Sequence, residues 1–370
     1  MPLFHQETTI HASDNGLRVR HVELRGTNRD IGYCLGRMAV DRYTLHRQIA
    51  GDDPLRIRNQ HKYQQQNYPE HYERMKGVAE AFGVSLDDGS CDCSGIVYQK
   101  REFGCSSVYF PGRTTASGAA MLGRNFDFPT SVVSEPYVFE VYPDQGYPSL
   151  YLCSFDLLGG VLDGINSEGL TVAVLADDES AGICPAEPNG GLHVGLHELQ
   201  IMRYLLDRCR SVEEAKEALL SLKHSYGRIP VHYHIGDRSG QSFVWENSYT
   251  TNRYFILDGG DKPQAVTNFL LHRHPSADDL PDDQAAPHGM YKRYIAFQRE
   301  LTRQATYTDS EIKSILSCAH AYHPDIYPFR TLWCSLYNTR DNRLDVSFYA
   351  GENPQGDNPL RTGEYRFQLK

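Results

Sequence analysis

Between Ser106 and Leu175 the chain strings together short runs rich in β-branched and aromatic residues, and no gap between them carries a helical pattern. Ser107-Val108-Tyr109-Phe110 and Ala119-Ala120-Met121-Leu122 flank a Pro-Gly-Arg-Thr-Thr turn, and strand-like runs at 137–142, 150–154 and 170–175 follow. Parallel neighbours need a crossover of a dozen or more residues, usually a helix. This region must therefore fold mainly as an antiparallel meander.

Helical spacing dominates elsewhere. Residues 29–43 and 68–82 repeat apolar side chains at intervals of three and four, and Gly83 supplies a stop, so the first hundred residues read as mostly helical. A helical pair is expected between 192 and 222, broken at Arg210-Ser211, where Ser211 caps the second helix. Strands at 231–235, 242–246 and 253–257, a helix at 291–304 and strands at 331–337 and 344–349 complete the pattern, with exposed loops at 178–191 and 275–287. Strands, helices and strands in blocks exclude the βαβ alternation of a doubly wound sheet and predict an α+β chain with a layered antiparallel core.

Composition excludes several function classes. A net charge of -10 argues against a nucleic-acid partner, which requires a basic face. The N-terminus Met1-Pro2-Leu3-Phe4-His5 lacks the basic start and apolar core of a signal peptide, and no apolar run is long enough to span a membrane, so a cytoplasmic location is expected. Nine cysteines spread thinly fit a reduced compartment, and Cys91-Asp92-Cys93 lacks the second pair that a zinc site needs. The phosphate-loop, dinucleotide and His-Glu-x-x-His motifs are absent, so neither cofactor nor metal is expected.

One constellation carries chemistry. Gly104-Cys105-Ser106-Ser107 puts a thiol at the head of a strand, and Leu122-Gly123-Arg124-Asn125-Phe126-Asp127 brings a guanidinium and a carboxylate on the next strand of the hairpin. Little of a free thiol is ionised at neutral pH, so a fixed cation or a base must activate it.

This constellation resembles the N-terminal nucleophile hydrolases, in particular the autoproteolytic acyltransferases typified by penicillin acyl-coenzyme A transferase and their relatives the choloylglycine hydrolases. The likeness runs along nearly the whole chain. Val22-Glu23-Leu24-Arg25-Gly26, Ile31 to Arg37 and Met75 to Glu80 look like that family's first segment, and Gly164 to Leu170, Val266-Thr267-Asn268-Phe269 and Lys292-Arg293-Tyr294 look like its later landmarks.

The resemblance implies a four-layer αββα sandwich with a mainly helical N-terminal segment at 1–104, still associated after the chain cuts itself at Gly104-Cys105, and a catalytic domain at 105–370. Cys105 would attack a linear amide of a small molecule and form a thioester. Its freed α-amine would act as base, Arg124 would hold the thiolate, Asp127 the ammonium, and Asn268 would donate to the oxyanion, with Arg293 completing the polar network. The family's second oxyanion asparagine falls here near Ala176, followed by Asp177 and Asp178, which are candidates for meeting a cationic part of the substrate. Hydrolysis is favoured over acyl transfer to an amine; an uncleaved binding relative and a homo-oligomer both stay open.

Taken singly, these residues have plainer readings. A lone cysteine is more often a core thiol, and an Arg-x-x-Asp pair more often a structural ion pair. His232 and His234 share a strand face without an evident third ligand, and His320 and His323, three apart on an expected helix, read with His272 and His274 as packing or rim residues.

Overall fold

The computed structural model describes residues 3–14, 17–45, 53–87, 89–99, 103–129, 134–180, 194–225, 230–248, 253–281, 289–320, 329–356 and 358–370. In chain order the elements begin with β1 (Phe4–Ala12), β2 (Arg18–Gly26), α1 (Asn28–Tyr43), α2 (Pro54–Asn67) and α3 (Pro69–Phe82). The hairpin β3 (Gly104–Phe110) and β4 (Met121–Pro129) leads into β5 (Tyr137–Pro143), β6 (Ser149–Cys153), β7 (Val161–Asn166) and β8 (Thr171–Ala176). Then come α4 (Glu198–Arg208), α5 (Val212–Ser221), β9 (Val231–Gly236), β10 (Ser242–Ser248), β11 (Arg253–Asp258) and β12 (Gln264–Val266). The chain closes with α6 (Met290–Leu301), α7 (Asp309–Ser317), β13 (Phe329–Asn338), β14 (Arg343–Gly351), β15 (Leu360–Arg361) and β16 (Tyr365–Gln368).

Two sheets form the middle of the molecule. One has nine strands in the order β1-β2-β5-β6-β7-β8-β9-β10-β11; the other runs β12-β3-β4-β13-β14-β15, with β16 also paired to β14. Every pairing is antiparallel except β2 with β5, whose long intervening chain allows a parallel neighbour. Helices α4 and α5 pack on β7, β8 and β9, while α6 and α7 pack on β12 and β4, and β3 meets β8 between the sheets. The four-layer αββα sandwich that the family resemblance implied is what forms.

Enclosure on both faces explains the sequence of the central strands. Strands β3, β4 and β6 to β10 are buried along their whole length, so they read as continuous runs rather than as alternation. Strand β7 was not expected from the sequence, because Asp163 and Gly164 interrupt its apolar run. Both are required by position. A Cβ on Gly164 would come within 2.6 Å of the Tyr151 side chain and 2.9 Å of Leu206 on α4, so glycine lets the helix lie close.

The N-terminal segment is mainly helical as expected, but it also supplies β1 and β2. Edge strand β1 is exposed along most of its length and shows no clean alternation, which hides it from pattern analysis. Helices α1 and α3 cross closely; a Cβ at Gly32 would lie 2.0 Å from the Arg74 carbonyl, and one at Gly77 would lie 2.0 Å from that of Arg29. The Ser211 cap is present, its hydroxyl accepting from the Glu214 N–H. Helix α7 ends at Ser317, so His320 lies beyond it, and His323 falls outside the described residues. Residues 178–180 are tucked in rather than exposed as expected; 181–191 and 282–287 lie outside the described residues. Among the described residues no helix is long and apolar enough to cross a membrane.

Candidate active site

Antiparallel pairing of β3 with β4 sets Cys105 opposite Phe126, Ser107 opposite Arg124 and Gly104 opposite Asp127. Partners in register share a face, and successive residues alternate. Cys105 and Arg124 therefore point into the space between the sheets, whereas Asp127, three residues on from Arg124, points to the opposite face. The sequence led one to expect both groups beside the sulfur; strand periodicity divides them between its two sides.

On the inner side the Arg124 guanidinium donates from Nη2 to Cys105 Sγ at 2.8 Å and to the Val174 carbonyl at 2.8 Å. Its Nη1 is paired with the Asp163 carboxylate of β7. Asp163 also accepts from Trp333 Nε1 at 3.2 Å, Ser335 Oγ at 2.6 Å and Tyr337 Oη at 3.0 Å. Cys105, Arg124 and Asp163 are all fully buried. A charge in such a place must be paired and hydrogen-bonded, and this one is.

Facing the backbone of Cys105 is a second ion pair. Arg293, on α6, donates from Nη1 to the Cys105 carbonyl at 2.9 Å and to Asp127 Oδ2 at 3.0 Å, and from Nη2 to Asn268 Oδ1 at 2.6 Å. Asn268 Oδ1 also accepts the Cys105 N–H at 3.0 Å, while its Nδ2 gives a hydrogen to the Ala176 carbonyl at 2.9 Å. Thr331 Oγ1 donates to Asp127 Oδ1 at 2.6 Å. A β-bulge between Thr331 and Trp333 lets one strand serve both faces, Thr331 turning to Asp127 while Trp333 and Ser335 turn to Asp163.

The structure thus gathers Arg124, Asp127, Asn268 and Arg293 around Cys105. Burial pushes the Cys105 thiol up to about 12, more than offsetting the cations Arg124 and Arg293. In the continuous chain it holds its proton at neutral pH. Asp177 turns its Oδ1 to the Ser180 N–H at 3.1 Å, and burial raises its carboxyl above the usual range. Asp178 donates its backbone N–H to the Asn268 carbonyl at 2.9 Å, and burial, with Asp177 and Asp127 nearby, pushes its carboxyl up to about 7 against the pull of Arg293.

His232 and His234 are occupied by Thr267 O at 2.7 Å and Ser107 Oγ at 3.0 Å, as packing residues would be. What the sequence did not disclose is the support: Asp163, Thr331 and the Val174 carbonyl. One signal was present. Trp333, Ser335 and Tyr337 put three donors on one strand face, which calls for a buried acceptor opposite.

A buried thiol held by a guanidinium thus stands between the two sheets of an αββα sandwich. The profile of the acyl-coenzyme A:6-aminopenicillanic acid acyl-transferase family matches residues 113–353, and the chain belongs to that family. The matched span includes Arg124, Asp127, Asn268 and Arg293 and begins after Cys105. The protein is thus an enzyme of the amidohydrolase and acyltransferase class. No curated protein matches its sequence. Among solved structures it is similar to a conjugated bile acid hydrolase from Clostridium perfringens, at 17% identity and a TM-score of 0.48 over 72% of this chain and 96% of that one. It is also similar to a penicillin V acylase from Agrobacterium tumefaciens, at 18% identity and a TM-score of 0.47 over 70% and 85%.

Proposed function

We propose that this enzyme cuts itself between Gly104 and Cys105 and then uses Cys105 as a thiol nucleophile on a linear N-acyl amide. The observation that carries this is the pair of guanidinium groups on Cys105, Arg124 at its sulfur and Arg293 at its carbonyl. In the first event the sulfur attacks the Gly104 carbonyl carbon, the Gly104–Cys105 C–N bond breaks, and the nitrogen leaves with the thiol proton. Water hydrolyses the thioester, giving a Gly104 carboxylate and a free Cys105 α-amine.

That amine is the base the buried thiol lacks. With an ordinary pKa near 8 it takes the proton from Sγ, and Arg124 balances the resulting thiolate. The thiolate adds to the substrate carbonyl, and an N–H of Asn268 Nδ2 faces the oxyanion, a contact commonly worth about 3 kcal/mol. Collapse passes the proton from the Cys105 ammonium, held by Asp127, to the leaving amine. Water then releases the acyl group. An amine acceptor would instead give acyl transfer, with the same residues in the same roles. Asp177 and Asp178 each keep a buried Oδ2 without a hydrogen-bond partner, and because Asp177 already gives its Oδ1 to the Ser180 N–H, Asp178 is the better placed of the two to meet a cationic substrate group.

Segment 1–104 stays with 105–370 after scission in this reading, because β2 is a strand of the nine-stranded sheet and Arg74 is ion-paired at 2.6 Å with buried Asp207. Intact mass and N-terminal sequencing test the first step: fragments beginning at Met1 and Cys105 are expected, and one unbroken species after long incubation would refute it. Cys105→Ala should remain uncut and turn over none of a panel of N-acyl amides, assayed with and without 6-aminopenicillanic acid as acceptor. Wild-type turnover by this variant would exclude Cys105 as nucleophile.

A further inference from the structure

We propose that Glu179 is a positioning residue that sets Asn268 and Arg293 against Cys105, an inference that rests on Cys105 being the nucleophile. Its carboxylate, about one tenth exposed, joins three elements of the site. Asp178 meets Asn268 through its backbone N–H, which the Asn268 carbonyl accepts, but the Glu179 side chain reaches past it: Oε2 accepts the Leu270 N–H at 3.2 Å, and Oε1 accepts the Tyr291 hydroxyl at 2.7 Å. Oε1 also pairs with His274 Nε2 at 2.7 Å, and Arg273 Nη1 stands 3.6 Å from Oε2.

The placement of these partners is what gives Glu179 its role. Leu270 lies two residues after Asn268, and Tyr291 lies two residues before Arg293, so one carboxylate ties the turn that carries the amide to the helix that carries the guanidinium. Asn268 and Arg293 touch at 2.6 Å, and both touch Cys105. A shift of either side chain by an ångström would break the contacts to Cys105, and misplacement on that scale can cost about a hundredfold in rate. Glu246 separately anchors the same turn, accepting the Leu271 N–H at 2.6 Å and the His272 N–H at 3.1 Å. The turn therefore stays folded without Glu179, and only its fine placement is lost.

Glu179→Gln is the informative change. Its amide can still accept from Tyr291 and His274, but the Nε2 hydrogens then oppose the Leu270 N–H. On the N-acyl amide that wild type turns over fastest, kcat should fall roughly tenfold to a hundredfold, with KM within about threefold and the melting temperature close to wild type, as for residues that orient a site from behind. Tyr291→Phe should lower kcat less, and the double variant should be no worse than Glu179→Gln alone, because the two changes cut opposite ends of one tie, Glu179→Gln at Leu270 and Tyr291→Phe at α6. A kcat within threefold of wild type, a change confined to KM, or additive losses would each overturn the proposal. If Cys105→Ala is also active, the nucleophile assignment itself has failed; if Cys105→Ala is dead and Glu179→Gln is not, only the role of Glu179 falls.

Discussion

Arg124 and Asp163 meet across the gap between the two sheets, one on β4 and the other on β7, and neither has any exposed side chain. The guanidinium at the sulfur is therefore held by a carboxylate from the opposite sheet. Burying a cation is costly, and here an anion with three further donors offsets that cost. The sheet-to-sheet packing and the hydrogen bond to Cys105 Sγ consequently depend on the same pair.

Asp163→Ala should destabilise the enzyme strongly, because it leaves Arg124 charged, buried and without its carboxylate. Breaking a buried pair in this way typically costs about 3–5 kcal/mol. Chemical denaturation followed by fluorescence would measure it, and a loss below about 1 kcal/mol would show that the pair contributes little.

Replacing Arg124 by lysine keeps a positive charge but loses the fork that reaches Cys105 Sγ, Val174 O and Asp163 together. Turnover should drop about a hundredfold or more. Alkylation of Cys105 followed against pH should show the thiol titrating higher than in wild type, since Arg124 lowers its pKa. An unchanged titration would mean that the guanidinium does not act on the sulfur.

Asp178 makes stability pH-dependent in a definite direction. Its folded carboxyl titrates at about 7, above the ordinary 3.8, so between those values the folded chain holds a proton that the unfolded chain has released. Stability from this group is full below about pH 4, declines as pH rises towards 7 and is flat above. Melting temperatures of wild type should thus fall relative to those of Asp178→Asn between pH 5 and pH 8. Parallel curves for the two proteins would show that Asp178 is an ordinary carboxylate.

Cut enzyme should elute as one native species containing both pieces. Arg74 of α3 and the hydroxyl of Tyr68, just before α3, reach Asp207 of α4 from the other side of the Gly104–Cys105 bond, where Arg203 of α4 pairs with the same carboxylate, and Arg42 Nη1 donates to the Tyr137 hydroxyl at 2.7 Å. Asp207→Ala should let segment 1–104 dissociate at denaturant concentrations where wild type holds it. Native size exclusion followed by denaturing electrophoresis reads this directly, and spontaneous separation of the wild-type pieces would contradict it.

The sequence by itself determined the layered antiparallel core, because runs such as 106–110, 150–154 and 170–175 follow one another with no helical crossover between them. It also singled out Cys105, Arg124 and Asp127 by residue type and local order, while Asn268 and Arg293 were reached through the family resemblance of the runs that hold them. Tertiary structure alone decided how the other four divide around Cys105. Strand periodicity sends Arg124 inward and Asp127 outward, and the bulge at β13 then supplies Thr331 to one and, through Ser335, Asp163 to the other. The carboxylate partner of Arg124 lies 39 residues away on the opposite sheet, and the hydrogen bond from Arg293 to Cys105 spans 188. Register and sheet packing set such contacts, and neither leaves a local pattern in the chain; an interrupted strand such as Val161–Asn166 is legible only when the carboxylate inside it is seen to face a buried guanidinium.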